Sequence, residues 1–243
     1  MQYVPSYLIK YGNRLISGLS DHDWERWKPH IEVVQLKAGT TLFDAGQVIQ
    51  HVYFPLSGMI SQQYDFADGK SAEFAQMGNE GMVGVFIFMG NSSTSSKALV
   101  VSNGVAYRLS KFWMQNEFNA SSSFRQLILH YMHTLMTNAS QLAVCNRRHT
   151  IDQQLCRTLL LHLERVAGDD LALTHDLISR SMGVRREGVS EAAKRLERIG
   201  AISYSRGHIH VLDRSTLLRN TCECYDIIKK EQHKLLPQDR KMG

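Results

Sequence analysis

Near residue 120 the hydrophobic pattern of the chain changes its period, and this change restricts the fold more than any other feature. Before residue 120, short β-rich segments alternate with turn residues, which is typical of strands. After it, apolar residues recur at steps of four and three, which is typical of helices. At 243 residues the chain also exceeds one typical domain of about 100–150 residues. The sequence therefore predicts an α+β protein with a β domain followed by a helical domain.

The β-rich region extends from residue 31 to about Lys111, after a helical lead-in in which Ser20 caps a helix over Asp21–Trp27. Turn signals such as Asp68-Gly69 and Asn103-Gly104 separate its segments. Seven short strands at this spacing indicate a jelly-roll or β-roll. The predicted strands are Ile31–Leu36, Thr40–Phe43, His51–Pro55, Gly58–Tyr64, Ser71–Met77, Ala98–Val101 and Val105–Leu109.

The helical region opens with a narrow apolar seam of heptad spacing, directly after the candidate helix N-cap at Ser121–Ser123. A seam held for more than three heptads predicts a coiled-coil contact between two copies of the chain, with the polar Asn138 fixing the register. A long helix packed against its own β domain is the open alternative. The predicted seam residues are Phe124, Ile128, Tyr131, Leu135, Asn138 and Leu142.

Residues 173–196 contain the densest local signal. A short amphipathic helix ends at Met182, Gly183 provides a residue that tolerates positive φ, and a second helix begins with Arg185. Ser179 is the small residue that two closely crossing helices need. This arrangement predicts a helix-turn-helix, although helix pairs with the same spacing also occur in protein cores.

The start of the second helix has side chains suited to the major groove of DNA. Arg186 can donate two hydrogen bonds to guanine O6 and N7, and Glu187 can accept one from the cytosine N4 amine. Thr174 and Arg185 are placed to hold phosphates, which positions the motif without reading bases. The motif therefore predicts sequence-specific DNA binding.

A β-hairpin follows the motif directly and predicts a wing. Its strands are Ala201–Tyr204 and His208–Leu212, joined by a turn at Arg206-Gly207. Arg206 and His208 are expected near the DNA backbone. The predicted DNA-binding residues are Thr174, Arg185, Arg186, Glu187, Ser190, Glu191, Arg206 and His208.

The distribution of charge favours a polyanionic partner for the C-terminal part. Residues 1–146 contain 10 basic and 10 acidic residues, whereas residues 147–243 contain 18 and 13. Such asymmetry indicates nucleic acid or, alternatively, an anionic membrane surface. The longest apolar run, Met82–Met89, is far shorter than the ~20 residues of a membrane span, and Met1–Arg14 lacks the apolar block of a signal peptide. We therefore expect a cytoplasmic protein that binds double-stranded DNA and no membrane.

A β-roll, a long helix and a winged helix-turn-helix with Thr174, Gly183, Arg186-Glu187 and Val189 resemble the Crp/Fnr superfamily of bacterial transcription regulators. The resemblance implies a homodimer that binds a near-palindromic site and contacts RNA polymerase at promoters. It also implies three segments. These are a cyclic-nucleotide-binding-like sensor domain over residues 1–118, a dimerisation helix over 119–148, and a DNA-binding domain with a helical tail over 149–243.

The candidate effector pocket departs from the cyclic-AMP-binding members of that superfamily. Gly84 matches their glycine, but Val85 replaces the glutamate that binds ribose. Lys97 stands nearest to the missing phosphate arginine, and Ala139-Ser140 replaces a Thr-Ser pair on the long helix. A charged hydrogen bond contributes roughly 1.5–3 kcal/mol, so the loss of these groups would reduce the binding free energy of cyclic AMP by several kcal/mol. Cyclic AMP is therefore not expected, and the effector stays unassigned, with a cyclic-nucleotide-responsive regulator of non-standard pocket as the alternative.

The positions of the cysteines predict no iron–sulfur cluster, and the cofactor stays unknown. None precedes Cys145, whereas the oxygen-sensing members of the superfamily hold an iron–sulfur cluster with cysteines near the N-terminus. Cys145, Cys156, Cys222 and Cys224 are expected to be structural or incidental thiols. Because Cys222-Glu223-Cys224 lacks close partners in the sequence, it is expected to be too isolated for a four-ligand zinc site, and no metal site is predicted.

Two other functions are less compatible with the sequence. A metal-dependent jelly-roll enzyme needs a His-x-His pair on the roll, but His51 is the single histidine of residues 31–111, and His208-x-His210 lies in the wing. A protein-binding adaptor does not account for the arginines of the helix-turn-helix. We therefore predict no enzyme activity.

Glu191 stands where many superfamily members have arginine. The DNA half-site that those members usually recognise is therefore not expected to apply to this chain.

Overall fold

The computed structural model describes residues 10–67, 71–90, 93–165 and 168–234. Its N-terminal part is a sandwich of two antiparallel sheets, with strand orders β1-β7-β3 and β2-β6-β4-β5. Each predicted strand is present, with its ends within one residue of the prediction. The strands are β1 Glu32–Leu36, β2 Thr41–Phe43, β3 His51–Pro55, β4 Met59–Asp65, β5 Ser71–Met77, β6 Lys97–Ser102 and β7 Gly104–Ser110.

Helices flank the sandwich and form most of the C-terminal part, together with a small sheet of order β8-β10-β9. The helices are α1 Arg14–Ser17, α2 Asp21–Trp27, α3 Lys111–Ala120, α4 Ser122–Arg148, α5 Ile151–Leu163, α6 His175–Met182, α7 Arg186–Arg198, α8 Arg214–Asn220 and α9 Cys224–His233. The remaining strands are β8 Asp170–Leu171, β9 Ile202–Ser205 and β10 His208–Val211. Within the described ranges, no helix is both long and apolar enough to span a membrane.

Local capping signals explain where several helices begin. The side chain of Ser20 accepts from the backbone N–H of Asp23, and that of Ser121 accepts from Phe124 N–H. Thr150 and Gln153 form a capping box at the start of α5. Each cap satisfies a backbone donor that the helix itself leaves unpaired.

An aromatic cluster around Trp27 forms the centre of the N-terminal core. Its indole makes edge contacts with Phe54, Trp113 and Phe124, at ring-centroid distances of 5.8, 5.3 and 5.0 Å. A separate core joins α5, α6, α7 and the small sheet around buried residues such as Leu159. The C-terminal half therefore has its own apolar core.

The first half of α4 packs against the β-sandwich of its own chain. Phe124, Ile128 and Tyr131 are at most 3% exposed and belong to the N-terminal core. The Tyr131 hydroxyl accepts from Met82 N at 3.0 Å and donates to Met82 O at 2.9 Å. The approach is so close that a Cβ at Gly81 would lie 2.5 Å from Tyr131 Oη.

The prediction that Phe124, Ile128 and Tyr131 form a dimer seam is therefore wrong, and the alternative of packing within the chain holds for them. Leu135 packs against the same core, and Asn138 and Leu142 are half-buried. A heptad pattern shows which face is apolar but not which neighbour covers it. Outside this packed face, α4 exposes Leu129, Met136 and Val144.

The expected single helix of the tail is two helices, and residues 235–243 lie outside the described residues. Helix α9 packs on both α4 and α5. Glu164 Oε1 accepts from Tyr225 Oη at 2.9 Å and from Lys229 Nζ at 3.0 Å. Burial alone would raise the pKa of Glu164, but these two donors outweigh it and the pKa is lowered. The ionised carboxylate thereby links α5 to α9.

Candidate functional site

Helices α6 and α7 form a helix-turn-helix. Thr174 caps α6 by accepting from Leu177 N at 3.1 Å, and Ser179 is buried near the end of that helix. Gly183 terminates α6 with φ +66°, a conformation that glycine adopts without steric cost. Helix α7 begins at Arg186, one residue later than predicted, and Arg185 is its N-cap residue.

Helix α7 buries one face and exposes the other. Val189, Ala192 and Leu196 are at most 3% exposed and pack in the C-terminal core. Arg195 on the flank binds Asp152 of α5 with Nε–Oδ2 2.9 Å and Nη2–Oδ1 2.7 Å. This paired arginine fixes α7 against α5 and is not free for a ligand.

Four predicted residues occupy the exposed surface at the start of α7. Arg185, Arg186, Glu187 and Glu191 are all exposed. Across the part of the chain that the structure describes, Arg185 and Arg186 form no ion pair, so their donors face solvent. Ser190 differs, because it is half-buried and its Oγ lies 2.9 Å from His175 Nδ1.

The wing is the antiparallel pair β9 and β10, in which His208 pairs with Ser205. The third strand, β8, pairs with β10 and was not predicted. Arg206 in the wing turn is exposed and has φ +49°, which a non-glycine residue rarely adopts. His208 is exposed with Nδ1 3.2 Å from Asp170 Oδ2.

The wing turn lies beside the start of α6. A Cβ built on Gly207 would meet Thr174 Cγ2 at 3.4 Å. The fold thus brings the wing turn with Arg206 close to the N-cap of α6, although Gly207 and Thr174 are 33 positions apart in the sequence. The predicted phosphate-contacting residues Thr174 and Arg206 consequently share one edge of the domain.

Sequence reasoning missed two aromatic side chains that hold this arrangement together. His175 stacks on Tyr204 of β9 with ring centroids 4.0 Å apart, and it also contacts Ser190 of α7. Burial and the charge of Arg186 lower the pKa of His175, which favours the neutral ring. No local pattern marks this contact, because it joins three elements that are distant in sequence.

The four residues predicted for an effector pocket have different surroundings. Gly84 has φ +97°, and a Cβ there would approach Val52 Cγ1 to 3.1 Å. Val85 is buried in the N-terminal core, whereas Ser140 is exposed on α4. Lys97 Nζ pairs with Asp65 Oδ2 at 2.7 Å. The lysine therefore already has an anionic partner.

A cavity between β5 and helices α4, α5 and α6 is lined by other residues, among them Glu73, Leu142, Arg157, His162 and Arg165. Arg157 is 2% exposed, and within the described residues its Nε and Nη1 atoms lack a hydrogen-bond partner. Burial raises the pKa of Glu73 and lowers that of His162 to about 3. Since a buried cation without partners is costly, this guanidinium suits an anion.

The cysteine expectation is wrong in one respect. Cys222-Glu223-Cys224 is not isolated, because the fold brings Cys145 and His149 against it. Their four candidate ligand atoms all lie within 4.8 Å of one another. Cys156 is buried in α5 outside this group. No local pattern of residues marks this cluster, since 77 positions separate Cys145 from Cys222.

Comparison with known proteins agrees with this arrangement. A family model described as a cyclic nucleotide-binding domain matches residues 33–119, and a model described as a Crp-like helix-turn-helix domain matches residues 153–219. Together the two models span both halves of the chain. No curated protein matches it.

Solved structures similar to this chain share its fold at low sequence identity. FixK2 from Bradyrhizobium japonicum is 15% identical with a TM-score of 0.69, over 79% of this chain and 98% of that chain. A putative transcriptional regulator of the Crp/Fnr family from Eubacterium rectale is 15% identical with a TM-score of 0.67, over 86% and 98%. The c-di-GMP-responsive global regulator CLP from Xanthomonas campestris is 18% identical with a TM-score of 0.63, over 80% and 100%.

Proposed function

We propose that this chain, which belongs to the Crp/Fnr family of transcription regulators, acts as a homodimer that places the start of α7 in the major groove of a near-palindromic DNA site. The observation that carries the proposal is the pair of exposed, unpaired arginines at the first turn of α7. Arg186 is positioned to read guanine, and Arg185 to contact a phosphate. At promoters, the bound dimer contacts RNA polymerase.

We propose a different role for each of three segments of the chain. Residues 1–118 sense a signal, residues 119–148 dimerise, and residues 149–243 bind DNA. The separate apolar core of α5, α6 and α7 supports this division. The Arg195–Asp152 pair holds the recognition helix to α5, which directly follows α4, so a change in α4 reaches α7 through packed helices.

Selection from a random pool of DNA duplexes tests the proposed recognition. The full-length protein is expected to enrich one sequence with two related half-sites, which two α7 helices of a dimer would read. Binding to the enriched duplex should exceed binding to a shuffled one by at least about 1,000-fold. Equal affinity for both duplexes would contradict sequence-specific recognition.

For the dimer, we propose a contact through the exposed face of α4 that includes Leu129, Met136 and Val144. These side chains are at least half exposed and lie outside the face that packs on the sandwich. Apolar side chains of this size on one helix face are typical of a protein contact. This face replaces the seam through Phe124, Ile128 and Tyr131.

The variant Met136→Glu tests this face in sedimentation experiments. It is expected to be monomeric at concentrations where the parent is dimeric, because the acid would bring two like charges into the contact. Leu218→Glu in α8 is a matched control, since it makes the same type of change at another exposed apolar position. Loss of the dimer in both variants, or in neither, would argue against this face.

We further propose that a small anionic effector binds in the cavity beside Arg157. The parent and Arg157→Met are compared by thermal denaturation with inorganic phosphate and with cyclic nucleotides. The anion that binds there should stabilise the parent and leave Arg157→Met unchanged. Stabilisation of both proteins by cyclic AMP would instead favour a cyclic-nucleotide pocket of non-standard composition elsewhere.

A further inference from the structure

Four metal-binding side chains meet at the junction between the long helix and the C-terminal half. Cys145 lies in the last turn of α4, and His149 lies in the linker between α4 and α5. Cys222 and Cys224 come from the segment between α8 and the start of α9. All three cysteines are at most 3% exposed.

Two of the distances between these atoms match the edges of a tetrahedron around a single ion, and all of them lie within 4.8 Å. Cys145 Sγ lies 3.5 Å from Cys222 Sγ, and Cys224 Sγ lies 3.6 Å from His149 Nδ1. Zinc–sulfur bonds of about 2.3 Å and zinc–nitrogen bonds of about 2.0–2.1 Å place two sulfurs about 3.8 Å apart, and a sulfur and a nitrogen about 3.6 Å apart. A disulfide would require about 2.05 Å between the sulfurs.

The groups around these four residues complete the features of a zinc site. His149 Nε2 lies 3.2 Å from Glu223 Oε2, which leaves Nδ1 directed at the cysteines. A carboxylate on the far nitrogen is the common way to orient a metal-binding histidine. Gln141 Nε2 donates to Cys224 Sγ at 3.1 Å, which suits a sulfur that carries negative charge.

We propose that Cys145, His149, Cys222 and Cys224 bind one zinc ion as a structural site with four protein ligands. Three thiolates and one imidazole form a recognised ligand set for structural zinc. Iron–sulfur clusters are instead usually held by four cysteine thiolates. With four protein ligands, the ion has no open position for a substrate, so its role is to connect segments rather than to catalyse a reaction.

The site joins the C-terminal tail to the linker through which α4 leads into α5. Helix α9 already packs on both of these helices, and the ion would fasten its first turn to their junction. The consequence for DNA binding rests on the proposed function. Because the linker sets the position of α7 relative to the dimer helix, loss of the ion is expected to weaken specific DNA binding roughly 5- to 100-fold.

Metal analysis of the full-length protein tests the site without using DNA. Protein prepared under reducing conditions with zinc is expected to hold about one ion per chain, and cobalt in its place should show the visible absorption of a tetrahedral thiolate site. Cys222→Ser should lose both signals. Cys156→Ser is the matched control, because it removes the buried cysteine outside the cluster and should retain both.

A second variant keeps the test valid if Cys222→Ser does not fold. His149→Cys preserves four ligands, so it should still bind one cobalt ion, with a stronger sulfur-to-cobalt absorption because a fourth thiolate replaces the imidazole. No metal in the reduced parent, an unchanged spectrum in His149→Cys, or a Cys145–Cys222 disulfide in fresh reduced protein would overturn the proposed site.

The DNA consequence is measured separately, on zinc-loaded and chelator-treated protein with the selected duplex. Weaker binding after zinc removal, restored by added zinc, supports the coupling. Unchanged binding after removal of a confirmed ion would overturn the coupling and leave the metal site intact. Specific DNA binding by protein that never takes up zinc would overturn the metal site and leave the proposed function intact.

Discussion

The two halves of the molecule differ in the surroundings of some of their arginines. In the N-terminal half, Arg26 pairs with Glu117, Arg108 pairs with Glu32, and the large aromatics meet in one core. In the C-terminal half, arginines at the start of α7 and in the wing turn point into solvent. The excess of basic residues after residue 146 is therefore visible as unpaired cations on one surface. Paired charges and packed aromatics thus stabilise the first half, whereas the second half presents a basic surface to solvent.

The largest expected effect tests the N-terminal side of this comparison. Phe124→Ala should lower the free energy of unfolding by about 3–5 kcal/mol, because it opens a cavity beside Trp27. Urea denaturation measures the loss. At a temperature where the variant is folded, its selectivity between specific and shuffled duplexes should equal that of the parent. If Phe124→Ala left the free energy of unfolding unchanged but dissociated the dimer, Phe124 would lie in the dimer seam and not in the core of its own chain.

Arg186→Ala tests the C-terminal side. It should weaken binding to the selected duplex by about 1–3 kcal/mol and relax selectivity at one base pair of each half-site. The free energy of unfolding should change by less than about 0.5 kcal/mol, because the side chain is exposed and unpaired. The matched control is Arg180→Ala in α6, whose guanidinium pairs with Asp176 at 2.9 Å. Equal losses of selectivity in both variants would contradict base reading by Arg186.

The buried His162 of α5 makes the stability of the C-terminal half depend on pH. Burial and the charge of Arg165 lower its pKa to about 3, from an ordinary value of 6.5. Below pH 6.5 the unfolded chain takes up a proton that the folded chain does not, so stability is full above that pH and falls toward pH 3. His162 can change the free energy of unfolding by at most about 1.4 kcal/mol per pH unit.

Unfolding of the parent and of His162→Gln between pH 7 and pH 4.5 measures this contribution. The free energy of unfolding should change less with pH in the variant than in the parent, whatever the stability of the variant at pH 7. Parallel pH profiles would show that His162 is not the group responsible.

The smallest expected effect is that of Arg206→Gly. The variant should bind specific and shuffled duplexes more weakly by similar factors. The slope of the logarithm of affinity against the logarithm of salt concentration should become shallower by about 1, because one phosphate contact is lost. Glycine also adopts φ +49° without strain, so stability should rise by up to about 1 kcal/mol. Fluorescence anisotropy over a series of salt concentrations measures the slope, and a loss confined to the specific duplex would identify Arg206 as a base-reading residue.

Local signals predicted most of the fold. The strand bounds followed from period and turn residues, and the caps at Ser20 and Ser121 followed from side chains that satisfy nearby backbone donors. Helix α3 was missed even though Ser110 caps it, since its apolar residues Phe112, Trp113 and Met114 are adjacent and show no clear helical period. Local information therefore sufficed where the interaction itself is local.

The failures involve contacts between distant residues. The apolar face of α4 was recognised, but its partner, the loop around Met82, lies 49 residues from Tyr131. The cysteine cluster likewise requires the tail to fold back on the end of α4, which spacing alone does not reveal. Within the helix-turn-helix, the exposed residues were predictable, whereas the His175–Tyr204 stack that fixes them was not.

The two hydrogen bonds between Tyr131 and Met82 hold α4 against the N-terminal half. Met82 lies two residues before Gly84, so a displacement of that loop would act on the helix at Tyr131. From there to Arg148 the helix extends about 25 Å. If α4 tilted by about 10° about Tyr131, its C-terminal end would move by about 4 Å, which is comparable to one helical turn of about 5.4 Å. A small rearrangement near Met82 would thus become a larger displacement at the end of α4 that leads into the DNA-binding half.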